Sequence, residues 1–330
     1  MQSESGQPAK RVLGKFTPWL MCAVLAVQGL LLWRAYRKPD APPAAPAPAA
    51  AQRPPTADEM ARFAFFTDGA IPHQLRISML RQTFAEGCSS ADLACLYQLL
   101  LETKPPGRDG EEIRFVLAND LMGQLCRHDP DPDRFTGRLV SYMGDSSRHP
   151  VLRDYAVQHL AAWLDPRRAL PRGSVPPATG WSALRASVLA ALARTASDPA
   201  LAATTVPGTV LMSLCSLSRT DREICAEAFA TLRPWLASAL GGDSNLSLPV
   251  RVSAVHAAAS ADPAGYLPVF RAIAYRPDGT PAIRLAAINA IGRFGSQSDL
   301  PSLREVSAST PSLAVGVAAA VRSLSSRAKS

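Results

Sequence analysis

The chain has 330 residues, of which 47% are apolar and only 6% aromatic, and it carries a formal charge of +8. That length and apolar content suffice for one or two buried cores, which Leu, Val, Ile and a great deal of Ala have to fill. The basic charge does not mark a nucleic-acid binder: residues 1–55 hold +5 of it and the other 275 residues only +3.

Residues 1–15 form a short basic tail. The stretch 16–33, FTPWLMCAVLAVQGLLLW, has no charge, and as a helix it would be about 27 Å long, enough to span the hydrocarbon layer. Thr17 and Pro18 suit its start, and Trp19, Trp33 and Tyr36 fall where interfacial aromatics belong. The apolar run passes directly into Arg34 and Arg37, and Trp-Leu-Met before Cys22 is too bulky for lipoprotein processing. These features predict an uncleaved transmembrane anchor over 16–34 rather than a signal peptide. Residues 35–57 are a Pro/Ala-rich linker that suits an extended spacer. The short N-terminal tail and this spacer place the domain over 58–330 outside the cytoplasm, as in a single-pass protein of a bacterial inner membrane.

Strand signals are absent, and the domain reads as all-α. Five cysteines follow Cys22. In an exported domain Cys88 could pair with Cys95 and Cys215 with Cys225; the odd count and the lack of any CxxC leave buried reduced thiols equally open. RHDPDPD (127–133) lacks the glycine and terminal glutamate of a calcium loop and reads as a turn capping the next helix through Asp131 or Asp133. GDSS (144–147) and GDSN (242–245) fall between helices, without the strand–turn–helix elbow of a serine nucleophile. His73, His149, His159 and His256 show no metal-ligand spacing, and no phosphate loop, dinucleotide fingerprint or zinc motif occurs.

A frame of arginine, small or apolar residue, small residue recurs along the chain. Its copies are Arg114-Leu117; Arg153-Ala156, with His159 in third place; Arg185-Val188-Ala191; Arg222-Cys225-Ala228; Arg251-Ala254-Ala257; Arg284-Ala287-Ala290; and Ala314-Val317-Ala320 without the arginine. The steps run from 29 to 39 residues. Second helices are expected between the frames, at 90–103, 131–143, 206–217, 233–240, 264–274 and 299–308, with Pro234 dividing residues 221–240. Such a period builds an α-solenoid of about seven helical hairpins, each burying its faces against its neighbours. Residues 165–180, DPRRALPRGSVPPATG, form a loop where a second helix is expected, and Arg167, Arg168 and Arg172 give it a positive edge that a partner could use.

The clearest copy is 280–303. Thr280 and Pro281 start a helix, Ile283, Ala287, Ala290, Ile291 and Phe294 make its apolar stripe, and Gly295 closes it as a left-handed cap. Ser298 or Asp299 then caps a helix with Leu300 and Leu303 on its apolar side. This segment and PVRVSAVHAAA (249–259) resemble HEAT-type repeats, particularly the short variety named after phycobilisome lyases. The resemblance is good over 248–325, fair over 149–240 and faint over 75–143. It implies a surface that holds another macromolecule and transfers no catalytic residue.

The expectation is therefore a membrane-tethered, non-catalytic scaffold for protein partners. No cofactor, metal, nucleic acid or small-molecule substrate is expected. The alternatives are a structural subunit of an envelope or transport assembly, or a HEAT-like lyase or nucleic-acid-handling enzyme.

Overall fold

The computed structural model of the protein describes residues 54–101, 110–171, 173–241 and 245–327. The expected anchor at 16–34 and most of the linker lie outside these residues, as does Arg172. Among the described residues no helix is long and apolar enough to cross a membrane, and no strand occurs.

The helices in chain order are α1 (Ala57–Ala61), α2 (Ala64–Thr67), α3 (His73–Glu86), α4 (Ser90–Leu101), α5 (Glu111–His128), α6 (Pro132–Gly144), α7 (Pro150–Leu164) and α8 (Trp181–Ala196). They continue with α9 (Val206–Thr220), α10 (Ala226–Ala239), α11 (Leu248–Ala261), α12 (Pro263–Tyr275), α13 (Pro281–Phe294), α14 (Leu300–Ser309) and α15 (Ala314–Arg327). Many begin with proline in the first turn, where its missing N–H costs nothing: Pro132, Pro150, Pro249, Pro263 and Pro281 are examples. Asp131 and Asp262 cap α6 and α12 through the amides of Arg134 and Gly265, both at 3.0 Å.

Neighbouring helices pack as pairs: α2/α3, α4/α5, α6/α7, α8/α9, α10/α11, α12/α13 and α14/α15. The second members, α3, α5, α7, α9, α11, α13 and α15, each pack on the next and form a front row. The first members form a back row, in which α6 meets α8, α8 meets α10, and α12 meets α14. This is the repeat-on-repeat stacking of an α-solenoid, with a core running between the two rows.

The frame is correct at Arg153, Arg251 and Arg284, each the fourth residue of a front-row helix. Arg153 Nε donates to the Met143 carbonyl at 2.7 Å, Arg251 Nη2 to Gly241 at 3.4 Å, and Arg284 Nε to Ala274 at 3.1 Å. Every acceptor lies ten residues back, at or just past the end of the preceding helix, where the last carbonyls lack intrahelical donors and the helix dipole favours a cation. Arg76, which lies outside the sequence frame, does the same for Phe66 at 3.3 Å. The repeat arginine is thus a hairpin latch. Arg284 adds the Pro277 carbonyl and Thr310 Oγ1, both at 3.3 Å, and so ties three elements together.

Two frame positions are corrected. Arg185 lies on back-row α8, and Arg222 is exposed in the turn before α10. The front-row helix expected to carry Arg185 is α9, whose fourth residue is Thr209. The loop at 165–180 therefore replaces no helix: it is inserted between two complete pairs, and α8 beyond it takes the back-row place. Pro234 does not divide 221–240 either. It sits within α10, and both it and Ala230, whose carbonyl loses its donor, are exposed, so the lost bond falls on the water side.

The apolar stripe of α13 is as expected, with Ile283, Ala287, Ala290 and Ile291 buried. Gly295 is not a left-handed cap, since its φ is −72°. Space explains it instead: a Cβ there would lie 2.7 Å from both the Ile291 carbonyl oxygen and Asp299 Oδ2. Along the back row, aspartates before the helices join successive pairs. Asp129 accepts from Tyr97 Oη at 2.6 Å and twice from Arg134, and Asp299 accepts twice from Arg271 and once from Tyr275. Burial raises the Asp299 carboxyl, but Arg271, the Ser296 amide and Tyr275 outweigh it and hold it below the usual range.

Candidate functional site

Of the loop arginines Arg167 is held within the loop itself, and Arg172 lies outside the described residues. Arg167 binds Asp165 through its amide at 3.0 Å, its Nε at 3.0 Å and its Nη2 at 2.7 Å. The Arg167 side chain and amide hold that carboxyl at about 2. The Arg168 amide closes the same turn onto the Asp165 carbonyl. The Val175 amide donates to the Pro130 carbonyl at 2.9 Å and that of Ala178 to Asp133 Oδ2 at 2.8 Å. The prolines exclude a helix, and these bonds fasten the loop to the turn between α5 and α6.

RHDPDPD is that turn, and its carboxylates serve the fold: Asp129 is buried under Tyr97 and Arg134, Asp131 caps α6, and Asp133 holds the loop. Cys88, Cys95, Cys126, Cys215 and Cys225 are all free thiols, so neither candidate disulfide is formed. Cys225 donates to the Leu214 carbonyl, and burial, Asp221 and Cys215 push it up to about 12. A thiol so shifted is no nucleophile near neutral pH.

His159 is the most perturbed histidine. It lies between α5 and α7, with Nε2 at 2.9 Å from Asn119 Oδ1, and its Cε1 is only 3.3 Å from where a Cβ on Gly123 would sit. Burial lowers its pKa to about 4, so it is a neutral packing element at neutral pH. Among the described residues no group of three or more His, Cys, Asp or Glu is placed to hold a metal ion. A cavity of about 50 Å³ lies under Phe66, Leu99, Arg114 and Tyr142, and one of about 210 Å³ lies between Arg222, Phe229, Arg233, Asp262 and Tyr266. In the larger one Arg233 and Asp262 already engage each other at 3.4 Å.

What remains is a surface. Large apolar side chains exposed on helices occur only on the front row among the described residues: Leu75, Val116, Met212, Leu248, Leu285 and Val315. Val315 is 84% exposed and Leu75 52%, values far from those of seam residues such as Ala254, Ala257 and Ala287, at 0%. They lie in the N-terminal halves of α3, α5, α9, α11, α13 and α15, so stacking sets them along the front row in two groups, one on α3 and α5 and one on α9 to α15, with α7 between them contributing none. Sequence reasoning missed them because it followed the buried stripes. The available signal was an apolar residue off the stripe, as Leu285 is off the stripe of α13.

Small residues bring the C-terminal front-row helices close together. A Cβ on Gly208 would touch Ser253 Oγ and Val250, one on Gly292 would meet Ala320, and Leu285 covers Gly316. Close approach at these glycines sets neighbouring front-row helices side by side.

Among known families, residues 233–325 match HEAT repeats. The match covers the last part of the chain, where the hairpin latch and the small-residue seam are most regular. No curated protein and no solved structure matches the chain.

Proposed function

We propose that the protein is a membrane-tethered, non-catalytic scaffold that holds a protein partner on its front-row face. The observation that carries this reading is the exposed apolar set from Leu75 to Val315, placed on one side of a helical-repeat stack. Extended faces of stacked repeats suit large partners, since each repeat adds area without changing the chemistry. Exposed apolar side chains gathered on one row of helices favour contact over solvent.

A non-catalytic role is supported by how the reactive groups are spent. Asp129, Asp131 and Asp299 cap helices or join pairs, His159 is packed neutral, and the thiols are buried or raised. Tethering rests on the uncharged stretch 16–33 and the linker after it.

The test is photo-crosslinking in native membranes. A crosslinker at Leu285 or Val315 is expected to capture a defined protein, whereas one at Glu305 on the back row captures none. Carbonate washing is expected to leave the full chain with the membranes. Crosslinking confined to the back row, or release by carbonate, would refute the corresponding half of the proposal.

A further inference from the structure

The C-terminal half of the front row differs in charge from the rest. Helices α9, α11, α13 and α15 contain no aspartate or glutamate. Upstream, α3 carries Glu86, and α5 carries Glu111, Glu112 and Asp120. Four successive parallel helices thus present a surface whose own charged groups are all arginines, with His256 as their single histidine.

These side chains are ordered. On α9 the exposed line is Met212, Ser216, Arg219; on α13 it is Leu285, Asn289, Arg293; on α15 it is Val315, Ala319, Arg322. Each line climbs one face at helical spacing, apolar near the N-terminus and cationic toward the C-terminus. On α11 the same face runs Leu248, Val252, His256, Ser260, exposed at Leu248 and half-buried beyond. Arg293 lies close enough to His256 to lower its pKa further, after burial. Arg219, Arg293 and Arg322 make no ion pair among the described residues. Helix C-termini favour a cation in the last turn, which accounts for a preference at Arg219 and Arg293. It does not account for the exclusion of every carboxylate from four helices.

Stacking turns these lines into two parallel rails along the repeat axis. One is apolar, through Met212, Leu248, Leu285 and Val315, and the other is cationic, through Arg219, Arg293 and Arg322. We infer that the α9–α15 face docks an acidic amphipathic segment of a protein partner, its apolar edge on the first rail and its carboxylates on the second. The inference rests on the scaffold reading above and names the chemistry of its partner. Arginine suits carboxylates through its planar donor fork. A nucleic-acid backbone would satisfy the arginines but leave the apolar rail against phosphate and water. Three steps between adjacent helices at about 9 Å each make ~27 Å, the length of a helix of about 18 residues.

The test uses full-length protein in detergent and two fluorescent synthetic helices of that length. One carries leucines along one edge and glutamates along the other; the second has lysines in place of the glutamates. The glutamate peptide is expected to bind roughly tenfold or more tightly than the lysine peptide, and less tightly at high salt. Combining Arg219→Gln, Arg293→Gln and Arg322→Gln is expected to weaken it at least tenfold, and Val315→Ser, at the most exposed apolar position, to weaken it too, with unchanged melting. Arg304→Gln on the back row leaves binding as it was. Equal binding of both peptides, no binding of either, or insensitivity to the triple variant overturns the inference. So does a preference for duplex DNA or for anionic vesicles lost in the same variant. The two readings separate in native membranes: a partner still captured at Leu285 in the triple variant refutes the charge chemistry alone. No capture from any front-row position refutes the scaffold itself.

Discussion

Replacing Gly292 by alanine tests how closely the last two front-row helices approach. A Cβ at this position would lie 2.8 Å from both Cα and Cβ of Ala320 on α15. Ordinary carbon contacts sit near 3.5–4.0 Å, so α13 and α15 would have to separate by about 1 Å, a gap that forfeits a quarter to a half of each contact it opens. Neither opposing atom can swing away, because one is backbone and the other is fixed to it. The cost should be at the upper end of overpacking, about 3 kcal/mol, less the ~1 kcal/mol by which alanine favours a helix over glycine. Gly316→Ala is the matched control. It gains the same propensity, and its new methyl meets only the end of the flexible, part-exposed Leu285 side chain. Gly292→Ala is therefore expected to lose about 2 kcal/mol in urea unfolding while Gly316→Ala is neutral or slightly stabilised. Hydrogen exchange should show residues 314–327 opening first in the former, since α15 ends the stack and leans on α13 and α14. If Gly292→Ala proves as stable as Gly316→Ala, the close approach is wrong and with it the spacing of the front-row face.

The hairpin latch predicts that Arg284→Met costs about 2–3 kcal/mol in urea unfolding, because the buried carbonyl of Ala274 and the part-buried one of Pro277 lose their donor. Arg222→Met, exposed in its turn, stays within about 0.5 kcal/mol, and equal losses would mean that the latch is not structural. Ala287→Leu overpacks the seam by ~1–3 kcal/mol, and residues 280–325 should lose exchange protection before residues 110–160; an unchanged pattern would place Ala287 in solvent. His159 titrates at about 4 in the fold, below its ordinary value near 6.5 when unfolded. The unfolded chain thus binds the extra proton first, and about 3 kcal/mol of stability present above pH 6.5 is lost as pH falls to about 4. His159→Gln should remove that slope from stability measured against pH, and an unaltered slope would assign it to other groups.

Several levels of this protein are written locally. The proline and aspartate starts, the stripe of α13 and the all-helical class follow from spacing and caps, which depend on near neighbours in sequence. The small-residue seam was legible for the same reason, because Ala254, Ala257, Ala287 and Ala290 repeat at helical spacing in adjacent copies. Row membership was not legible. Front-row and back-row helices share the same 3.6-residue period, and arginine is common enough that Arg185 and Arg222 fitted a frame to which they do not belong. Only the stack distinguishes Arg284, which reaches a carbonyl ten residues back across a turn, from Arg185 on the other row.

The candidate site followed the same division. The arginines of the 165–180 loop could be counted in sequence, but the pairing of Arg167 with Asp165, and the fastening of the loop to Pro130 and Asp133, needed the fold. The apolar and cationic rails also needed it, since Met212, Leu248, Leu285 and Val315 are separate residues on separate helices until stacking aligns them. Sequence by itself determined which segments are helical and which residues are small enough to pack closely, because those properties act over one or two turns. Tertiary structure alone decided which side chains share a surface, because that depends on contacts between helices some thirty or more residues apart along the chain.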